Sequence, residues 1–213
     1  MARASHPLFA AVYDAVTAPA ERAGLADRRR RLLSEARGRV LEIGAGTGAN
    51  LRHYPSSVDH LVALEPDPAM RERLLGRLED AAPPVEVHEA GIEEAPFAPG
   101  SFDTVVSTVT LCTVPDLDAA VAAVGRVLRP DGRFLFLEHV RVPGLPGLVQ
   151  RAATPVWSRV AGGCHADRDV LGALRAGGFV VSSCDRFTIR RAAGPLVAPA
   201  VQGVARFPAR AAA

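Results

Sequence analysis

The most constraining feature of the sequence is a glycine-rich segment, Val40–Asn50, which reads VLEIGAGTGAN. Apolar residues around Glu42 lead directly into three glycines at alternate positions, Gly44, Gly46 and Gly48. Glycine adopts backbone conformations that other residues avoid, and it lets the main chain lie close to a ligand. A helix that begins after such a turn directs its free amide groups at that ligand. The segment therefore predicts a strand, a tight turn and a helix start that together hold a nucleotide-like cofactor.

Two cofactor classes fit this loop. The spacing of Gly44, Gly46 and Ala49 is a permitted variant of the dinucleotide fingerprint of NAD(P) oxidoreductases. Glu42 favours the other class, because a carboxylate is unfavourable beside a pyrophosphate but favourable beside the ammonium and sulfonium groups of S-adenosylmethionine. The form EIGAGTG resembles the first motif of class I methyltransferases. This resemblance implies S-adenosylmethionine as the cofactor, with contacts from Glu42, Gly44, Ala45, Gly46, Gly48 and Asn50.

Predicted strands and helices alternate after residue 38, which indicates an α/β protein with one doubly wound, mostly parallel, seven-stranded Rossmann-like sheet. The predicted strands cover residues 39–43, 60–65, 85–88, 102–108, 134–138, 179–184 and 201–207. Helices are expected over 67–79, over 117–128 after the N-cap Asp116, and irregularly over 145–176, with a turn at 130–132. Residues 7–36 predict two helices joined near Pro19. We expect one domain, made of an N-terminal helical cap (1–36), a cofactor-binding half (37–140) and an acceptor-side segment with the last strands (141–213).

The charge balance argues against several classes of function. The chain has 25 basic residues, all arginine, and 23 acidic residues, whereas a dedicated nucleic-acid binder usually shows a stronger basic excess. Neither a secretory signal nor an apolar stretch of membrane-spanning length occurs. Arg28–Arg31 is expected to be a solvated helix face, with contact to a membrane surface or an acidic ligand as the minor alternative. We therefore expect a cytoplasmic protein with a small-molecule acceptor and no nucleic-acid partner; the oligomeric state stays open.

The three cysteines do not predict a metal site. Cys112, Cys164 and Cys184 are far apart, and the sequence has neither a C-x-x-C pair nor an H-x-x-x-H pair. No metal ligand is predicted on this basis. Direct methyl transfer needs no covalent intermediate, so Cys112 and Cys164 are interpreted as small residues of the pocket or core.

The ends of the second and fourth predicted strands carry further cofactor candidates, because ligands of open α/β sheets bind beyond the carboxyl ends of the strands. Glu65 follows the glycine loop by about 20 residues, the spacing at which an acid accepts hydrogen bonds from ribose hydroxyls. Pro66 and Met70 are predicted to flank the adenine ring. The backbone near Thr108 is expected to lie beside the methionine moiety and the sulfonium.

Two other positions are assigned through the resemblance to class I methyltransferases. An acid after the third strand often binds the adenine amino group in that class, and the next backbone amide faces the ring. Gly91 occupies the acidic position here, so Ile92 supplies the amide and the amino-group contact passes to Glu93 or to the backbone. Tyr13 resembles an N-terminal tyrosine whose helix covers the cofactor in many small-molecule methyltransferases; a core aromatic is the equal alternative.

Several later segments extend the resemblance to one subfamily. They are LEIGAGTGANLRHYP at 41–55, TLCTV at 110–114 and RVLRPDGRFLFLEHV at 126–140. The set is similar to mammalian microsomal methyltransferase-like proteins that methylate alkyl thiols, and to their bacterial relatives, over roughly residues 8–207. It implies methyl transfer to a small, largely apolar acceptor, most of all a thiol. The alternatives are an O- or N-methyltransferase of a secondary metabolite, quinone or phospholipid headgroup, and a non-catalytic protein that binds S-adenosylmethionine.

Glu138 and His139 end the fifth predicted strand, beside the expected position of the methyl group. Methyl transfer requires the reacting atoms to be held in line about 3–3.5 Å apart. A thiol, with a pKa of about 8.5, needs little help to ionise, whereas an alcohol needs a true base. His139 is predicted to be the general base or the group that orients the acceptor, because imidazole exchanges protons near neutral pH. Glu138 is the second catalytic candidate, and the alternative for both is a polar pair that closes the strand.

Overall fold

A computed structural model describes residues 5–207 of the chain. Its strands are β1 (Gly38–Ile43), β2 (Val58–Leu64), β3 (Val85–His88), β4 (Phe102–Thr108), β5 (Leu128–His139), β6 (Val180–Thr188) and β7 (Pro199–Arg206). They form one sheet in the order β3, β2, β1, β4, β5, β7, β6. Strands β1 to β5 run parallel, whereas β7 is antiparallel to both β5 and β6. The predicted doubly wound, mostly parallel sheet of seven strands is confirmed.

The α-helices within residues 5–207 pack on both faces of this sheet. They are α1 (Pro7–Ala20), α2 (Ala26–Leu33), α3 (Pro68–Leu75), α4 (Leu117–Val127), α5 (Gly144–Val160) and α6 (Val170–Ala176). Buried side chains of α2 and α3 belong to the core on one face, and those of α4 and α6 to the core on the other. No helix in this part of the chain is long and apolar enough to cross a membrane.

The central strands divide their side chains between the two cores. Phe134 and Phe136 of β5 are buried on the face of α4 and α6, whereas Leu135 and Leu137 are buried on the face of α2 and α3. This alternation follows from the two-residue period of a strand. Each side chain of this size contributes about 1.5–3 kcal/mol when fully buried, so β5 anchors both layers.

Some local predictions need correction. The two predicted N-terminal helices are confirmed, but the break between them lies at Gly24, which has φ 122°, five residues after the joint expected near Pro19. Glycine takes this positive φ without the steric cost that other residues meet. The predicted turn at 130–132 lies within β5 as a bulge, since Phe102 pairs with Leu128 but Thr104 pairs with Arg133. The predicted N-cap Asp116 is confirmed, and its Oδ1 accepts from the amides of Asp118 and Ala119.

The topology determines where a ligand can bind. The chain leaves β1 toward β2 and β3 on one side of the sheet, then returns to place β4 and β5 on the other side. The carboxyl ends of β1 and β4 therefore flank the switch point at which open α/β sheets bind their ligands. The three-part organisation of the chain stays a prediction, and residues 1–4 and 208–213 of its outer parts lie outside the described residues.

Candidate active site

A cavity of about 840 Å³ opens at the carboxyl ends of β1, β2, β4 and β5, beneath α1. This volume is in the range of small-molecule and cofactor sites. Most of the predicted site residues line the cavity: Tyr13, Glu42, Gly44, Ala45, Gly46, Asn50, Glu65, Pro66, Met70, Gly91, Ile92, Glu93, Thr108 and His139. Gly48 and Glu138 do not line it. The fold thus brings together residues that are up to about 126 positions apart in the chain.

The glycine loop combines a close internal contact with an open ligand face. Gly44 and Gly46 both have positive φ, 62° and 59°. A Cβ on Gly44 would lie 2.2 Å from the side chain of Thr110, whereas a Cβ on Gly46 would meet no atom within 4 Å. Gly46 therefore leaves space in the cavity that a bound cofactor can use. A Cβ on Gly48 would lie 2.9 Å from the side chain of Leu51, so this third glycine permits close packing behind the loop, and its predicted cofactor contact stays a prediction.

Glu65 joins the end of β2 to the glycine loop. Its Oε2 accepts a hydrogen bond from the amide of Gly46 at 2.7 Å, and its Oε1 accepts one from the amide of Asp67 at 2.8 Å. Burial raises the pKa of this carboxyl, although the two amide bonds oppose the shift. A carboxylate offers about four lone-pair positions, so two remain for further donors such as hydroxyl groups.

Glu42 lies deeper in the same wall. One of its oxygens accepts from Asn50 Nδ2 and the other from the Tyr54 hydroxyl, both at 2.8 Å. Burial raises the pKa of Glu42 to about 7, and these two hydrogen bonds only partly counter that effect. A cationic ligand group placed beside Glu42 would favour the ionised carboxylate and lower its pKa.

Arg29 is a functional candidate that the sequence analysis missed. The run Arg28–Arg31 is predicted to be solvated, yet Arg29 is only 4% exposed and lines the cavity. Its Nε donates to Glu21 Oε1 at 3.0 Å, and its Nη1 donates to Asn50 Oδ1 at 3.0 Å and Thr108 Oγ1 at 2.7 Å. Its position in the helix could have predicted this burial. Arg29 is four residues after the buried Leu25 and therefore lies on the apolar face of the helix. A buried guanidinium here suits an anionic ligand group such as a carboxylate.

The segment after β3 contains an acid whose hydrogen bonding is incomplete. Glu93 Oε1 is buried, lines the cavity with the rest of its side chain, and has no hydrogen-bond partner within residues 5–207. A Cβ on Gly91 would lie 3.1 Å from Glu93 Oε2. Because Gly91 has no side chain, there is room for the Glu93 carboxylate. Buried polar atoms are normally paired, so this oxygen marks a place for a ligand donor such as an amino group.

His139 and two cysteines form a polar cluster on the acceptor side of the cavity. His139 Nδ1 lies 3.7 Å from Cys164 Sγ, and both residues line the cavity together with Cys112. The contact with Cys112 and the ring of His139 hold the pKa of the Cys164 thiol below its ordinary value. The same thiol–thiol contact, together with burial, raises the pKa of Cys112. The cluster therefore places two ionisable sulfurs and one imidazole on the same part of the wall.

Glu138 lies behind the cavity wall, away from any acceptor. It is fully buried, and its Oε1 accepts from Ser107 Oγ at 2.5 Å and from the Thr110 amide at 3.1 Å. Burial raises the pKa of this carboxyl as well. These bonds hold the segment after β4, in which Val109 has a positive φ of 58°, a strained conformation for a β-branched residue. Glu138 thus does not line the cavity, contrary to the expected contact with the acceptor, and its catalytic role stays a prediction.

Polar side chains of α1, and of His6 just before it, hold the helix over the cavity. Asp14 accepts from Thr47 Oγ1 and from Arg77 Nη2, each at 2.6 Å. The ring of His6 lies 3.0 Å from Asp67 Oδ2 at the start of α3. Tyr13 is held between these contacts on the cavity wall, where burial raises its pKa.

Comparisons with known proteins agree with this architecture. The model of a family described as "Methyltransferase domain" matches residues 41–136. The thiol S-methyltransferase TMT1A of Homo sapiens is 34% identical over 145 residues, which are 66% of this chain and 59% of that protein. The thiol S-methyltransferase TMT1B of Homo sapiens is 32% identical over 168 residues, which are 73% of this chain and 68% of that protein. The chain thus spans less than two thirds of TMT1A.

A solved structure shares the fold at low sequence identity. The N-methyltransferase NodS from Bradyrhizobium japonicum WM9, in complex with S-adenosyl-L-homocysteine, has a TM-score of 0.68 and 18% identity. The match covers 89% of this chain and 88% of that chain.

Proposed function

Because this chain belongs to the class I S-adenosylmethionine-dependent methyltransferases, we propose that it transfers the cofactor's methyl group to a small, largely apolar thiol. The observation that carries the proposal is the cluster of His139 and Cys164 on an otherwise apolar part of the cavity wall. The two human relatives, 34% and 32% identical, are thiol S-methyltransferases by name, which supports the same acceptor class.

The cavity has the donors and acceptors that this cofactor needs. When bound, S-adenosylmethionine supplies a methyl group on a positively charged sulfonium sulfur. Glu65 retains lone pairs for the ribose hydroxyls. Glu93 Oε1, which has no partner among the described residues, suits the adenine amino group. Glu42 and Arg29 offer opposite charges for the ammonium and carboxylate of the methionine end. The open face of Gly46 leaves space for the cofactor against the main chain.

The acceptor side combines an apolar wall with a weakly basic polar group. Phe9, Val12 and Val16 of α1 line the cavity, as do Trp157 and Val160 of α5. Such a surface favours aliphatic or aromatic substituents, because removing apolar area from water contributes about 25 cal/mol per Å².

His139 is placed to act on the acceptor sulfur in one of two ways. It either takes the thiol proton or orients the sulfur, and its contact with Cys164, 3.7 Å from Nδ1 to Sγ, supports a sulfur atom as its neighbour. An alcohol would need a stronger base at the wall. Glu138 is shielded behind it, the chain has no lysine, and the lining carboxylates Glu42 and Glu93 are assigned to the cofactor. The site therefore favours a nucleophile that ionises readily.

The test measures release of S-adenosylhomocysteine with a matched pair of acceptors, hexane-1-thiol and hexan-1-ol, from about pH 6 to pH 9, a range that brackets a thiol pKa of about 8.5. We expect release with the thiol only, increasing with its thiolate fraction. The variant Glu65→Ala serves as the control for activity that depends on the cofactor site.

Other outcomes would overturn the thiol assignment. No release with either acceptor, at intact cofactor affinity, followed by turnover of a phenol, amine, quinone or headgroup in a screen, would establish an O-, N- or C-methyltransferase. Intact cofactor affinity with no turnover of any acceptor would indicate a non-catalytic binding protein. The cytoplasmic location expected from the sequence stays a prediction.

A further inference from the structure

Three metal-ligating side chains from separate parts of the chain meet on the acceptor side of the cavity. Cys112 lies in the loop after β4, His139 is the last residue of β5, and Cys164 follows α5. Each offers one ligand atom, and the three atoms all lie within 4.8 Å of one another. All three residues are buried and line the same cavity. The sequence predicts no metal here, because the ligands are 27 and 25 residues apart and match no spacing motif.

We propose that Cys112, His139 and Cys164 bind one zinc ion at the acceptor side of the cavity. A tetrahedral zinc site with Zn–S of about 2.3 Å and Zn–N of about 2.0–2.1 Å separates its sulfur and nitrogen ligands by about 3.6 Å, and two sulfurs by about 3.8 Å. The observed distance from Cys164 Sγ to His139 Nδ1 is 3.7 Å. The remaining separations need to shorten by at most about 1.2 Å to reach these values.

The chemistry of the ligands selects the metal. Two sulfurs and one imidazole suit a borderline-soft cation, whereas magnesium and calcium prefer oxygen ligands. Two cysteines and one histidine with an open fourth position are a known catalytic ligand set for zinc. No carboxylate is needed to complete the site. Glu138, the nearest acid in the sequence, does not line the cavity, and its Oε1 is engaged with Ser107 and Thr110.

The surroundings hold the two cysteines in place. The Cys112 carbonyl accepts from the His165 amide at 2.7 Å, and the Leu111 carbonyl accepts from Arg168 Nη1 at 2.6 Å. The Cys164 amide donates to the Ala161 carbonyl at 3.1 Å. The buried Trp157 Nε1 lines the cavity region and has no hydrogen-bond acceptor within residues 5–207. It is a donor available to a metal-bound sulfur, as outer-shell groups commonly are.

The fourth position gives the site a use in catalysis, and this step rests on the proposed thiol acceptor. The acceptor thiol replaces a zinc-bound water molecule: the zinc–oxygen bond breaks, a zinc–sulfur bond forms, and the sulfur's proton leaves to solvent. The acceptor is then held as a thiolate at neutral pH, because a bound metal cation favours the deprotonated ligand. In this state His139 is a metal ligand, so it does not act as the proton acceptor.

The experiment measures zinc itself, without acceptor or turnover. The full-length protein, purified under reducing conditions, is stripped with a chelator, reloaded with zinc, and analysed for bound metal by mass spectrometry. Affinity is obtained by competition with a chromophoric chelator. We expect one zinc per chain. Cys112→Ser and Cys164→Ser should each lose more affinity than the roughly 10–100-fold that loss of an outer-shell partner costs, because a direct ligand is removed. Cys184→Ser is the matched control, because Cys184 is exposed on β6, and it should bind zinc like the wild type.

A second readout guards against variants that fail to fold. Cobalt substituted into the wild type should give a thiolate-to-cobalt charge-transfer band and the intense visible absorption of tetrahedral coordination. The charge-transfer band should weaken in Cys112→Ser and in Cys164→Ser, whereas His139→Ala should keep the band and change the visible absorption. Binding of S-adenosylhomocysteine by each variant verifies that it is folded.

The outcomes separate the metal site from the acceptor assignment. Substoichiometric zinc in the reduced wild type, equal zinc affinity in a folded Cys112→Ser variant, or a Cys112–Cys164 disulfide in place of metal would each overturn the proposal. Stoichiometric zinc without methylation of any thiol would leave the metal site standing and refute the thiol acceptor instead.

Discussion

Replacing Glu42 with glutamine is expected to change how the stability of the protein depends on pH. Glu42 is 2% exposed, and burial raises its pKa from 4.5 to about 7. At about 1.4 kcal/mol per pH unit, this difference corresponds to about 3 kcal/mol. Between these two pH values the folded chain keeps a proton at Glu42 that the unfolded chain has released.

The sign of the effect follows from this proton. Unfolding releases it, so the free energy of unfolding falls as the pH rises from 4.5 and the loss is complete above about pH 7. Between pH 5 and pH 8 the wild type should lose about 2–3 kcal/mol more than Glu42→Gln. Glu65 and Glu138 also have raised pKa values, but their contributions are common to both proteins and cancel in the comparison.

The assay is denaturant unfolding of wild type and Glu42→Gln, without cofactor, at several pH values across this range. The free energies of unfolding of the two proteins should differ by a constant amount, because glutamine cannot reproduce both hydrogen bonds to Asn50 and Tyr54. This constant difference does not affect the test, which compares how each free energy changes with pH. Glu72→Gln, at an exposed position of α3, is the matched control and should follow the wild-type profile. Parallel profiles for wild type and Glu42→Gln would refute the argument that Glu42 is buried largely protonated.

Further predictions concern the cofactor and acceptor contacts. Glu65→Ala should weaken S-adenosylmethionine binding by roughly 1–3 kcal/mol in calorimetric titration, since charged hydrogen bonds are lost; unchanged affinity would contradict the ribose assignment. Arg29→Ala should lower the free energy of unfolding by about 3–5 kcal/mol, because Glu21 keeps a partly buried charge without its partner. An effect below about 1 kcal/mol in thermal or denaturant unfolding would argue against a stabilising role of the Arg29 hydrogen bonds. His139→Ala should reduce turnover while affinity for S-adenosylhomocysteine stays near wild type; full turnover would make His139 purely structural. Gly46→Ala should lower the free energy of unfolding by about 1–2 kcal/mol, because alanine is strained at the positive φ of this position. The folded variant should also lose cofactor affinity, because the new Cβ occupies open cavity; equal affinity in calorimetry would mean that the cofactor does not use this space.

Much of the cofactor side could be predicted from the sequence because its signals are local. The glycines at alternate positions, the apolar β1 before them and the spacing to Glu65 depend on residues close together in the chain. Strand alternation then predicts the parallel sheet, and the sheet places these strand ends at one edge. The same local logic identified the N-cap Asp116.

The acceptor side was decided by tertiary structure. Arg29 reads as one of four exposed arginines, and only the packing of α2 on the sheet shows that it is buried beside Thr108. Glu138 and His139 are adjacent in the sequence, yet the alternation of side chains along β5 sends His139 to the cavity and Glu138 behind its wall. The spacing of Cys112 and Cys164 in the sequence does not predict that they lie close together. Their proximity depends on where the loop after β4 and the end of α5 pack. Contacts between distant segments arise from the packing of the whole core, and no local pattern in the chain encodes them.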